Sequence, residues 1–132
     1  MKKIMSAALA GKILIGALLL LVLFHVLILF GVVPSDIVWG GQIDGSAANL
    51  LTLEMIAIVM TLVFITVVVL KLRDLKAGKS RILVNVGIWV IFAYLLLNTV
   101  GNFASGVSFE SMVFGPITII LAFCALRLAI EK

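Results

Sequence analysis

The chain has 132 residues, of which 64% are hydrophobic, and its mean hydropathy is +1.38. A soluble domain of this length cannot bury so much apolar surface, so lipid is its solvent and residues 1–132 read as one integral membrane domain. The net charge is +4, and the single Cys124 and single His25 exclude an intrachain disulfide, a CxxC redox pair and a His- or Cys-rich metal centre within one chain.

Crossing a hydrocarbon core of roughly 30 Å takes about 20 mostly apolar residues. The first such stretch covers residues 13–33. Its apolar run exceeds the roughly 7–15 residues of a signal-peptide core, and GVVPSD follows it instead of a small-x-small cleavage site, so it reads as a retained span that Pro34 stops. The connection PSDIVWGGQIDGSAAN is too short for a domain. Within it, Ser35 or Asp36 suits the cap of an interfacial turn, and Trp39 suits the headgroup level. The second span covers residues 50–70, and the tight link KLRDLKAGKSR follows, with Gly78 as the helix stop. The third covers residues 82–104. The link SGVSFE leads to the fourth, residues 112–130, in which Pro116 removes a backbone donor. Open strand edges cannot be satisfied in lipid, so the spans are helices. Short links make successive helices antiparallel neighbours, and the expected fold is an all-α, four-helix antiparallel bundle.

All ten basic residues fall on one side of this arrangement: Lys2, Lys3 and Lys12, then the five between residues 71 and 81, then Arg127 and Lys132. The positive-inside rule places both termini in the cytoplasm. The bias is too complete for a chain that inserts in both orientations, as the antiparallel dimers of some four-helix multidrug exporters require. The bland account of the positive charge, attraction to anionic headgroups, is better than nucleic-acid binding.

Polar side chains inside a span require a partner or a water-filled cavity. A rise of 1.5 Å per residue puts His25 about 12 Å, Asn98 about 9 Å and Glu54 about 6 Å below the outer ends of their spans, with Asn102 shallower. On the third span Gly87, Ile91, Tyr94, Asn98, Gly101 and Ser105 recur at steps of four and three, which predicts an inward stripe distinct from Phe92, Leu95 and Leu96. On the second, Glu54, Ala57, Thr61 and Phe64 share a face. Asn85 and Arg127 fall near the cytoplasmic side, where Arg127 is expected to snorkel to the headgroups. The pattern predicts an outward-facing polar pocket walled by His25, Glu54, Tyr94, Asn98 and Asn102, with Trp39 and Asp36 as its lid. Glu54 is the natural counter-charge of His25. A nearby acid favours the protonated imidazole, whereas burial alone favours both groups neutral, and the sequence leaves both states open. Each residue also has a plain structural reading: interhelical hydrogen bonds for His25, Asn98 and Asn102, an interface anchor for Trp39, a turn for Asp36.

At VPSDIVWGG (residues 33–41) and LNTVGN (residues 97–102) the chain resembles a group of small bacterial four-helix membrane proteins without an assigned activity. The resemblance implies a bacterial cytoplasmic membrane and no particular chemistry. Disulfide oxidases coupled to quinone need cysteine pairs, and small multidrug exporters carry their essential acid in the first span, where this chain has His25.

Three functions fit the residues. The first is binding or transport of a small molecule or ion, proton-coupled through His25 and Glu54. Four helices are few for a complete path, so this reading implies a homo-oligomer. The second is an accessory subunit of a membrane complex. The third is an enzyme acting on a lipid or quinone; the chain has no nucleophile elbow, metal-ligand set or phosphate loop to support it, and neither a cofactor nor a metal is implied.

Overall fold

The computed structural model describes residues 4–32 and 47–131. Four helices follow in chain order: α1 (Ala7–Leu29), α2 (Ala47–Ala77), α3 (Ile82–Ala104) and α4 (Gly115–Ala129). A π-helical turn, Glu110–Phe114, runs directly into α4. Each helix, α4 together with its π-helical turn, is long and apolar enough to cross a bilayer. The protein is therefore an all-α, multi-pass four-helix bundle, with no strand among the described residues.

Local chemistry sets the helix ends. α1 starts six residues before the apolar run because Ser6 caps it, its hydroxyl accepting from the Leu9 N–H at 3.1 Å. It ends at Leu29, earlier than expected. Gly31 takes a left-handed φ of 77°, the Val32 N–H reaches the Leu27 carbonyl at 3.0 Å, and the Gly31 N–H reaches that of Ile28. That is a Schellman stop, in which glycine bears no Cβ penalty. The expected stop, Pro34, lies outside the described residues. At the far end of α2 Gly78 does the same, with φ 69° and the Lys79 N–H on the Asp74 carbonyl at 2.8 Å, as its place in the link predicted.

The helices alternate in direction. The start of α1, the end of α4 and the α2–α3 link gather at one end, called here the basic end. There the Arg127 Nε donates to the Met5 carbonyl at 2.8 Å, and its Nη1 meets Glu131 Oε2 at 2.8 Å. Arg127 is only 3% exposed. Instead of snorkelling, it closes the bundle by joining the two terminal segments. Asp74 accepts a bidentate pair from Arg81, the Nη2 bond measuring 2.7 Å, and this carboxylate raises the guanidinium further above its ordinary value.

Close packing fills the half of the bundle next to the basic end. Leu14 of α1, Val68 of α2, Ile88 of α3, and Cys124 and Leu128 of α4 are fully buried in one cluster. Two glycines permit the approach of neighbouring helices: a Cβ on Gly11 would lie 2.6 Å from a Leu72 methyl, and one on Gly87 2.8 Å from a Val67 methyl. α1 packs along α2 and α3 along α4, whereas α2 and α3 approach each other much less.

Candidate functional site

The opposite half is built differently. His25, one turn short of the end of α1, turns toward α2, and its Nδ1 meets Glu54 Oε2. Glu54 has no exposure at all, while the His25 side chain retains 12%. The imidazole therefore stands between the carboxylate and the interior space of the bundle. At least one proton must occupy the bond between them, because neither atom can bond the other without it.

That space is a partly open cavity of about 680 Å³ with walls from all four helices. His25 of α1, Thr61 of α2, Tyr94, Asn98 and Asn102 of α3, and Glu110 of the π-helical turn give it polar points. Leu18, Leu21, Met60, Leu95, Ile117 and Leu121 are among its apolar walls. The Thr61 hydroxyl donates to the Ala57 carbonyl of its own helix at 2.6 Å. Behind the wall, at the α3–α4 contact, buried Thr99 donates to Thr118 Oγ1 at 3.0 Å, and Thr118, which lines the cavity, donates to the Phe114 carbonyl at 2.8 Å. The Thr61 and Thr118 hydroxyls, with their protons used in this way, keep lone-pair capacity toward the cavity.

Aromatic rings stand in two places. Phe24 of α1 and Phe114 meet edge to face at 5.2 Å, with Phe109 completing a three-ring cluster. Phe64 of α2 and Tyr94 of α3 meet edge to face at 5.2 Å. Edge-to-face pairs leave one ring presenting its electron-rich face away from its partner.

The predicted residues are thus distributed as follows. His25, Tyr94, Asn98 and Asn102 share the cavity wall. Glu54 sits behind His25 and not on the wall. Asp36 and Trp39, the proposed lid, lie outside the described residues. The buried stripe of α3 is Val84, Ile88, Ile91, Leu95, Thr99 and Asn102; it shares Ile91 with the expected stripe, and Ile88, Leu95, Thr99 and Asn102 each stand one residue beyond an expected member, so the buried face is rotated by somewhat less than the roughly 100° of one residue. Leu95, expected elsewhere, is buried. The small and polar stripe faces the cavity beside it, which is why Tyr94 keeps 41% exposure.

Glu110 is the residue that sequence reading overlooked. It stands in the expected link SGVSFE, yet it is buried and lines the cavity. The signal was the recurrence of Glu110, Phe114, Ile117 and Leu121 at steps of four, three and four, which extends the inner face of the fourth span through the supposed link. The π-helical turn has a backbone cause. Pro116 has no N–H to return to the preceding turn, and the Gly115 N–H reaches back five residues to the Glu110 carbonyl. Such turns occur frequently at functional sites.

No protein-family model matches the chain, and neither the curated proteins nor the solved structures compared with it match.

Proposed function

We propose that this protein binds a small amphiphilic molecule or ion within the membrane and handles a proton in doing so. The observation that carries the reading is the cavity: its volume lies in the range of small-molecule sites, roughly 300–1,000 Å³, and it has apolar walls with a few convergent polar groups. A scaffold held together only by packing gains nothing from a cavity of this size. The His25–Glu54 bond supplies the exchangeable proton. Intramembrane ionisable groups that adjoin a cavity commonly serve ion or proton pathways.

In this reading the basic end lies in the cytoplasm of a bacterial cell and the cavity belongs to the outer half of the bilayer. The ten Lys and Arg on one side support that orientation. The close-packed half forms the inner seal. A complete transport path would need a second copy, because the four helices enclose the cavity and seal one side but provide no continuous route.

Cysteine accessibility tests the proposal. In a Cys124→Ala background, Asn98→Cys and Thr118→Cys should react with a membrane-impermeant methanethiosulfonate added from outside, as should an exposed control at Ser108→Cys. Leu14→Cys, in the sealed half, should not react. Labelling at Ser108→Cys with none at Asn98→Cys or Thr118→Cys would overturn the outward-open cavity, and the scaffold reading would replace it.

A further inference from the structure

Charge at the basic end is unevenly satisfied. Of the basic side chains described there, Arg81 holds Asp74, Arg127 holds Glu131, and Lys71 has Asn85 and the Glu131 carbonyl. The charge of Lys79 also acts on Asp74. Lys12, Arg73 and Lys76 are left. Each is exposed, and none has a side-chain hydrogen bond or ion pair with a described residue. We infer that these three residues form a binding site for an anionic phospholipid whose headgroup carries two phosphates.

The packing of α1 on α2 brings them to one face. Gly11 and Leu72 meet across that contact, where a Cβ on Gly11 would lie 2.6 Å from a Leu72 methyl. The two helices run in opposite directions, as the meeting of His25 with Glu54 at the other end requires. In antiparallel right-handed helices the residues that follow a facing pair both turn, by about 100°, to the same side of the contact. Those residues are Lys12 and Arg73. Lys76, one turn after Leu72, is rotated by about 40° to that side as well. In this register the three positions lie within about 8 Å of one another along the bundle axis, with Lys12 deepest. Their long aliphatic stems let the charged heads rise to the headgroup level.

Below the cations the same face is apolar and exposed. Gly16 and Leu19 of α1 and Leu62 of α2 lie on it, and an added Cβ on Gly16 would meet nothing within 4 Å. Acyl chains lie along this surface while their phosphates stay among the cations. A water-soluble anion lacks that second attachment, and it would have to reach the apolar level from which Lys12 starts. A headgroup with one phosphate leaves most of the three charges uncompensated, whereas two phosphates in one lipid come closer to matching them. Basic clusters between membrane helices recurrently hold lipid headgroups of this kind.

Native mass spectrometry of the purified full-length protein, titrated in nonionic detergent with diphosphatidylglycerol, phosphatidylglycerol or phosphatidylcholine, tests the site. The wild type should bind diphosphatidylglycerol at least about fivefold more tightly than phosphatidylglycerol, with phosphatidylcholine weakest, since each basic group near the surface contributes about a factor of five. Lys12→Gln, Arg73→Gln and Lys76→Gln should each weaken diphosphatidylglycerol about fivefold. Lys79→Gln, which removes the same charge elsewhere in the link, should weaken it less than about twofold. Lys12→Arg should bind as the wild type does; size-exclusion profiles identify any variant that fails to fold. Equal weakening by Lys79→Gln and Lys12→Gln overturns the site and leaves only the diffuse attraction of a basic surface. Equal affinity of the wild type for the two anionic lipids overturns recognition of two phosphates. Displacement of bound lipid by an equal concentration of inorganic pyrophosphate overturns the lipid assignment in favour of a water-soluble anion.

Discussion

The Lys71 ammonium donates to Asn85 Oδ1 at 2.6 Å and to the Glu131 carbonyl at 2.7 Å, so one buried cation ties α2 to α3 and to the last residues of the chain. Lys71 is 2% exposed. Asn85 is itself held by donating to Ser80 Oγ at 2.9 Å. Removing Asn85 takes one of two acceptors from a buried ammonium, whereas removing the ammonium leaves two neutral oxygens, Asn85 Oδ1 and the Glu131 carbonyl, without that donor. Asn85→Ala should therefore cost about 1.5–3 kcal/mol, and Lys71→Met, which keeps the bulk, less than about 1.5 kcal/mol. The double variant should fall near Lys71→Met alone. Unfolding in mixed micelles of rising dodecyl sulfate content measures all three, and the reverse order would show that the ammonium is not held as described.

The His25–Glu54 bond makes a similar prediction at the opposite end. Neutral hydrogen bonds between helices in membranes couple by about 0.6 kcal/mol on average and about 1.7 kcal/mol at most. A bond to an ionised group is roughly twice as strong as a neutral one. A double-mutant cycle of His25→Ala and Glu54→Ala, read by the same unfolding assay, should give a coupling at or above about 1.5 kcal/mol. A value near the average would assign the pair to ordinary packing and remove it from proton handling.

Gly11 and Gly101 distinguish close packing from open space. Gly11→Ile would drive a branched side chain against Leu72, where a Cβ alone would already sit at 2.6 Å, and overpacking of this kind costs about 1–3 kcal/mol. Gly101 faces open space. Gly101→Ala should be neutral or stabilising by up to about 1 kcal/mol, because alanine loses less backbone freedom in a helix. Comparable destabilisation at both positions would mean that the cavity is filled by packing in the working protein.

What the sequence revealed and what it hid follow from the range of the interactions involved. Four spans were legible because hydrophobicity summed over 20 residues outweighs any local detail. The His25–Glu54 pairing was legible because a chain with so few intramembrane charges offers few partners. The rotation of α3 was hidden. A stripe of small and polar residues faces inward whether it packs against a helix or borders a cavity, so Tyr94 and Asn98 could not be told apart from Leu95 and Thr99 as the residues in contact with α4. The first stop of α1 was hidden because Pro34 is a louder signal than Gly31, although Gly31 makes the turn. Glu110 was hidden because a charge beside a short link reads as solvated, and only the periodicity continuing from α4 places it inside.

The orientation assigned to the bundle yields a final prediction that depends on no cavity. Alkaline phosphatase fused after residue 132 should be inactive and a fluorescent protein there bright, while phosphatase inserted at residue 44 should be active. The charge bias counts Lys and Arg within about 15–20 residues of the span ends, and it is supplied twice: by Lys2, Lys3 and Lys12 before α1, and by five residues between 71 and 81. Replacing the first three with Gln should leave the reporters unchanged, because the link between α2 and α3 still holds its charges on the inner side. Replacing all eight should give a mixture of orientations, with both reporters partly active at both positions. If the first substitution alone inverts the signals, the N-terminal lysines set the topology by themselves, and the link charges serve the contacts seen at the basic end: Lys71 with Asn85, and Arg81 with Asp74.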